Sequence, residues 1–263
     1  EMKAAAESRN NARPKNLADR KAKAARRAND ELINTLLATG DTGRAVQFCA
    51  QVTSQLERAV PGAEMECYRG IGRGLPFIQK ELWGDSEKMA AAAAAQCKAL
   101  APNTNDYQVC LSAVFNIIGR SEVGNEYGLS VRKGDPLLLC KKQTDTELRS
   151  RCFGNYKITA VSLVSLDDFV SSAKTLEQLY GANASSSVDI AIWTLGYYWA
   201  MNHLVADESF EPAIRSCSSL SPAFAKACIE GMSVGIAKNG TPQNQDKLLI
   251  DFCTAARAGI PSL

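Results

Sequence analysis

Histidine is almost missing from this chain: His203 stands alone among 263 residues. That excludes His-rich metal sites and bis-His haem, and it weakens any His-based catalytic triad. No CxxC pair occurs among the cysteines, which leaves zinc ribbons, thioredoxin-like redox sites and CxxCH haem attachment unsupported. No apolar run approaches the ~18 residues of a membrane-spanning helix. Charge of one sign is also scarce, with 30 Lys plus Arg against 28 Asp plus Glu and a net charge of +2. A dedicated nucleic-acid binder usually carries a strongly basic domain. Period-2 alternation is absent apart from a short ambiguous run at 158–164, so strands are not expected. The 46% hydrophobic and 22% charged residues are an ordinary globular balance. The length allows one large domain or two small ones.

What the chain has is cysteine. Nine occur, at 49, 67, 97, 110, 140, 152, 217, 228 and 253, many for a reducing compartment. Consecutive cysteines pair at separations of 18, 13, 12 and 11 residues: Cys49 with Cys67, Cys97 with Cys110, Cys140 with Cys152 and Cys217 with Cys228. Cys253 is left over. The second cysteine of each pair opens a related phrase. Cys67-Tyr-Arg-Gly70-Ile-Gly-Arg-Gly74 and Cys228-Ile-Glu-Gly231-Met-Ser-Val-Gly235 are the clearest copies. Cys110-Leu-Ser-Ala113 and Cys152-Phe-Gly-Asn155 are looser, and Trp193-Thr-Leu-Gly196-Tyr-Tyr-Trp-Ala200 lacks the cysteine. Starts at 67, 110, 152, 193 and 228 are 43, 42, 41 and 35 residues apart, the length of a helix pair.

The cysteine-less unit should place its first-cysteine equivalent near Leu179 or Tyr180, so it lacks both members of a pair together. Paired loss is what a disulfide predicts, because a lone thiol is a liability in an oxidising compartment. We therefore expect four local disulfides, each pinning the end of one helix to the start of the next. The alternative is a set of buried free cysteines, which are common in cores.

The expected organisation is a basic arm, residues 1–31, followed by an all-α domain over 32–263. The domain reads as a disulfide-stapled helix-pair repeat array, α-solenoid-like, with about five units of ~42 residues. The arm holds nine Lys or Arg against five acids, with Arg20, Lys21, Lys23, Arg26 and Arg27 as its densest cluster. Only Met2 and Leu17 are large and apolar there, so it has no stripe to bury. An ordered arm of this kind needs a partner subunit to lie on. Along the domain, Pro76 should kink or restart a helix over 67–82. Ser86 is expected to cap a helix over 87–100, and Asp106 one over 107–120. Thr144 or Asp145 should open a helix running to Val164, and Ser165–Asp168 should cap the helix 168–180. Helix 188–205 is the most hydrophobic.

Candidate chemistry is thin. Gly70-Ile-Gly-Arg-Gly74 is GxGxG rather than GxGxxG and follows no strand; small residues that let a neighbouring helix approach explain it better. Ser171-Ser-Ala-Lys174 matches SxxK but lacks the partner motifs of serine enzymes that use it. Asp167 and Asp168 are adjacent on a helix and do not face each other, so a cap is expected. His203 ends its helix, where it can bond terminal carbonyls. Trp193, Tyr197, Tyr198 and Trp199 form an aromatic cluster. Either these rings fill the space left by the missing disulfide, or they are an interaction surface, since Trp and Tyr dominate hot spots. The sequons at Asn183 and Asn239 matter only in a eukaryotic secretory protein.

The cysteine spacing and helix-pair period resemble the cysteine-rich Sel1-like repeat proteins, in which helix pairs of about 36 to 44 residues are stapled by local disulfides and stacked outside the cytoplasm. The chain does not show that family's Ala-Leu-Gly and Tyr-Gly phrases beyond Glu126-Tyr-Gly128. The Cys-x-x-Gly-x-x-x-Gly phrase is also similar to the helix phrase of small periplasmic Rap1a-type immunity proteins. These resemblances imply architecture and compartment, not activity. The expectation is a non-enzymatic scaffold or accessory subunit, in a periplasm or cell envelope. It would need no cofactor or metal, bind other protein subunits partly through its arm, take no nucleic acid and touch membranes only peripherally. One alternative is a small-ligand-binding protein or enzyme using helix 188–205; another is an accessory subunit of the mitochondrial intermembrane space. With no signal peptide visible, the chain is expected to be the mature part of a longer one, and Cys253 to open a sixth unit.

Overall fold

The computed structural model describes residues 35–36, 39–56, 63–181, 184, 187–203, 210–239 and 245–259. The arm, with Arg20, Lys21, Lys23, Arg26 and Arg27, lies outside them. The described residues are helical and contain no strand. They gather into two compact units that meet in sequence at Thr159/Ala160, inside the stretch treated above as one array.

The N-terminal unit carries α1 (Thr42–Leu56), α2 (Ala63–Gly74), α3 (Ser86–Leu100), α4 (Thr104–Gly124), α5 (Leu138–Lys141) and α6 (Thr146–Asn155), with α7 (Lys157–Val161) crossing the boundary. Local chemistry sets the helix starts. The Asp41 carboxylate accepts from Arg44 N at 2.9 Å, and the Asp145 carboxylate from Leu148 N at 2.9 Å, satisfying helix N–H groups that have no partner within the helix. Two caps differ from expectation. Asp85, not Ser86, caps α3 by accepting from Lys88 N at 3.1 Å. Asn103, not Asp106, caps α4 by accepting from Asp106 N at 3.0 Å. In each case the polar residue one turn upstream reaches the third helical N–H, so the helix starts earlier. The expected helix over 67–82 does not continue through Pro76: α2 ends at Gly74 and the chain goes on as two 3₁₀ turns, Leu75–Phe77 and Lys80–Leu82. The expected helix to Val164 is split, because α6 stops at Asn155 and α7 restarts at Lys157. Leu111, Val114, Phe115 and Ile118 of α4 are all buried. They form one helical stripe, each burial contributing roughly 1.5–3 kcal/mol.

The C-terminal unit holds α8 (Phe169–Tyr180), α9 (Val188–His203), α10 (Glu211–Ser218), α11 (Pro222–Asn239) and α12 (Gln245–Gly259). The Asp168 carboxylate caps α8 by accepting from Ser171 N at 3.0 Å. Helices α9 and α11 form the closest-packed pair. Their backbones nearly touch: a Cβ added at Gly196 would overlap the carbonyl of Cys228, and one at Gly231 would overlap the carbonyl of Trp193. Gly235 likewise faces Tyr197 and Ala200. The small residues of the repeated phrase therefore serve close helix approach. In α2 the glycine at the approach is Gly72, set against the carbonyl of Cys110.

Four disulfides join Cys49 to Cys67, Cys97 to Cys110, Cys140 to Cys152 and Cys217 to Cys228, with Cα atoms 5.6, 5.8, 5.2 and 5.9 Å apart. They fasten α1 to α2, α3 to α4, α5 to α6 and α10 to α11. In the N-terminal unit the helices bearing the second cysteines pack on one another, α2 on α4 and α4 on α6. Cys253 in α12 is free and exposed. Multiple disulfides fit an oxidising environment outside the cytoplasm. No helix among the described residues is long and apolar enough to cross a membrane.

Candidate interaction site on the aromatic helix

Helix α9 is apolar on every side, so one face alone cannot satisfy it and it is packed on more than one. Ala191, Ile192, Leu195 and Gly196 are buried. The rings divide between two faces. Trp193 and Tyr197, one turn apart, stack with centroids 5.6 Å apart and planes at 11°. Tyr198 meets Tyr197 edge-on at 5.5 Å. These three rings are half-buried. Trp199 is buried, 6.4 Å from Phe169 of α8, and it stacks on His203 at 4.4 Å. Trp199 is core, whereas Trp193, Tyr197 and Tyr198 keep part of their surface exposed. At the position equivalent to the missing first cysteine, Tyr180 ends α8 fully buried, and burial holds its phenol well above the usual Tyr range.

His203 bonds a terminal carbonyl: its Nδ1 lies 2.9 Å from Trp199 O. A carbonyl can only accept, so Nδ1 carries a proton and donates. Nε2 lies 3.5 Å from the Asp167 carboxylate, which is 79% exposed. An ion pair that open to water contributes little, about 0–1 kcal/mol. The Nδ1 bond fixes the orientation of the imidazole and leaves Nε2 facing the exposed Asp167 carboxylate. Ser171 and Lys174 of the SxxK match are both exposed on α8, and the Ser171 backbone N–H is spent on the Asp168 cap. Among the described residues, no cluster of three or more His, Cys, Asp or Glu could hold a metal ion. Of the sequons, Asn183 lies outside the described residues; the Asn239 amide donates to Gly235 O at 2.9 Å.

A second cluster escaped the sequence reading. In the N-terminal unit, Tyr127 stacks on Phe77 at 4.0 Å and meets Trp83 edge-on at 5.0 Å. The indole N–H of Trp83 donates to Phe77 O at 3.3 Å. In the same unit, Glu122 is buried. Burial raises its pKa above the usual carboxylate range, with the Tyr156 and Ser86 hydroxyls and Arg132 pulling the other way, and its Oε2 atom has no hydrogen-bond partner. Tyr156 is itself buried, which raises its phenol pKa further still. A signal was available: Leu111, Val114, Phe115 and Ile118 set a three-four spacing that runs on to Glu122, placing an ionisable residue in an apolar stripe. Compared with known proteins, the chain matches no family model, no curated protein and no solved structure.

Proposed function

We propose that this protein is a non-enzymatic scaffold or accessory subunit of the periplasm or cell envelope, built as an α-solenoid-like array of helix pairs that binds other protein subunits. The observation that carries the reading is the staple pattern. Every disulfide joins neighbours in sequence, and helices carrying the repeated phrase pack on one another, α2 on α4, α4 on α6 and α9 on α11. Such a chain gains its rigidity unit by unit rather than around one enclosed site, as repeat scaffolds do. Trp193, Tyr197 and Tyr198 supply a partly exposed aromatic patch suited to anchoring a partner. The basic arm of residues 1–31 supplies a second contact.

The test is non-reducing peptide mass spectrometry and native mass spectrometry on protein taken from its source without reductant. The four bridges and a stoichiometric protein companion are expected. Free thiols throughout would remove the extracytoplasmic reading. A small molecule released on denaturation, with no protein companion, would favour the second reading, a ligand-binding protein or enzyme. That reading draws on the Asp167–His203 approach at the end of the aromatic helix.

A further inference from the structure

Helix α12 has two unlike faces. On one, Phe252 and Ala256 are buried. Phe252 meets Phe210 edge-on at 5.4 Å, and a Cβ on Gly259 would press on Ile214. That face packs on α10 and α11. The other face carries Asp246, Ile250, Cys253 and Arg257, all exposed. Ile250 is 65% exposed, and Cys253 is a free thiol. Their spacing of four, three and four residues lines them up as one stripe along the helix.

The order along the stripe is acid, apolar, apolar, base. Beside it, Lys247 and Asp251 satisfy each other at 3.1 Å, whereas Asp246 and Arg257 form no ion pair with the described residues. They cannot pair with each other within one chain, because the eleven residues between their positions span about 16 Å of helix axis. Laid antiparallel on a second copy, about a twofold axis between Asp251 and Phe252, the stripe matches itself. Asp246 then falls opposite Arg257 of the second copy, and Ile250 opposite Cys253, each twice. Twofold contacts require such self-matching, and opposite charges flanking an apolar strip fix the direction in which helices pair.

We propose that the outer face of α12 is a self-association surface, through which two copies of this chain pair their α12 helices antiparallel, Asp246 against Arg257 and Ile250 against Cys253. Cys253 acts there as a small apolar side chain. A contact of one helix from each copy buries less than the ~1,200 Å² of stable complexes, so the dimer is weak and depends on concentration. High salt screens its ion pairs and weakens it further. The proposal goes beyond the scaffold reading and does not rest on it: self-association can fail while the four bridges and a protein companion are still found.

The experiment is sedimentation equilibrium of the full chain, disulfides intact and at low salt, from micromolar to millimolar concentration. The wild type is compared with Asp246→Arg, Arg257→Asp, the double exchange, Ile250→Asp and Cys253→Ser. All these positions are exposed, so the fold tolerates the changes. The wild type should form a dimer. Each single reversal sets like charges opposite each other at two points and should raise Kd about tenfold. The double exchange restores both pairs and should return Kd to near the wild-type value. Ile250→Asp should abolish the dimer and Cys253→Ser should keep it. The double exchange also separates pairing from a helix-dipole role. An acid in the first turn and a base in the last complement the macrodipole, and on that account alone the double variant would be worse than either single one. A monomeric wild type, a dimer indifferent to both reversals, no recovery in the double exchange, or a dimer that exists only as a Cys253 disulfide overturns the proposal.

Discussion

Gly196 of α9 and Cys228 of α11 meet backbone to backbone, so closely that a methyl group at position 196 would overlap the Cys228 carbonyl. Cys228 is at the same time one end of a disulfide to Cys217. One residue therefore fixes α11 to α10 covalently and receives α9 sterically. The repeated Cys-x-x-Gly phrase acquires a physical meaning here: one position holds the staple and the next small position holds the neighbouring helix.

Gly196→Ala and Gly231→Ala should each destabilise the C-terminal unit by about 1–3 kcal/mol, because overlap with backbone outweighs the roughly 1 kcal/mol that alanine gains in a helix. Gly43→Ala in α1 meets only the end of the Asp41 side chain at 3.4 Å and should be neutral or slightly stabilising. Urea denaturation midpoints at constant slope decide the matter. Equal behaviour of all three variants would show that the small residues do not set the α9–α11 approach.

Replacing Cys217 and Cys228 together by alanine removes a staple 11 residues long. In the chain-entropy model the loss is about 3 kcal/mol. Because the staple is local, hydrogen exchange should accelerate in α10 and α11 before it does in α3 and α4. Uniform acceleration across both units would mean that the staples act on one cooperative core instead.

Asp85 gives a pH effect of the opposite sign to Glu122. Its bonds from the Lys88 backbone and side chain lower its pKa. A lowered native value contributes stability above the unfolded pKa of about 3.9, lost as pH falls through the native value. Asp85→Ala should cost about 1 kcal/mol near neutral pH as a lost helix cap. Asp85→Asn should keep most of the cap. The pH-dependent part is small, under about 0.5 kcal/mol, because the side chain is 41% exposed and solvent screens it. Thermal unfolding of the three proteins at pH 7 and pH 2.5 checks both points. An Asp85→Ala penalty unchanged at pH 2.5 would contradict the charged-cap account.

Features encoded within a few residues were legible. Asp168 and Asp145 cap their helices, and the paired cysteines lie one helix turn-back apart. Each depends on chain geometry over fewer than about 20 residues, where distance in sequence limits distance in space. The cap errors at Ser86 and Asp106 came from the same range. Asp85 lies one residue and Asn103 three residues before the expected cap, and each accepts from the N–H three positions on, so each helix begins earlier. At the aromatic helix, the sequence brought the rings together but could not say which were covered.

The sequence alone determined an all-helical chain, its four local disulfides and the small residues of its recurring phrase, because helix periodicity and short loops leave few alternatives. The tertiary structure alone decided that Trp199 is buried while Trp193 and Tyr197 keep part of their surface. It also decided that the chain gathers into two units, and that Glu122 is buried in one of them. Those outcomes depend on which helix face meets which neighbour across 30 or more residues, and no local spacing encodes that.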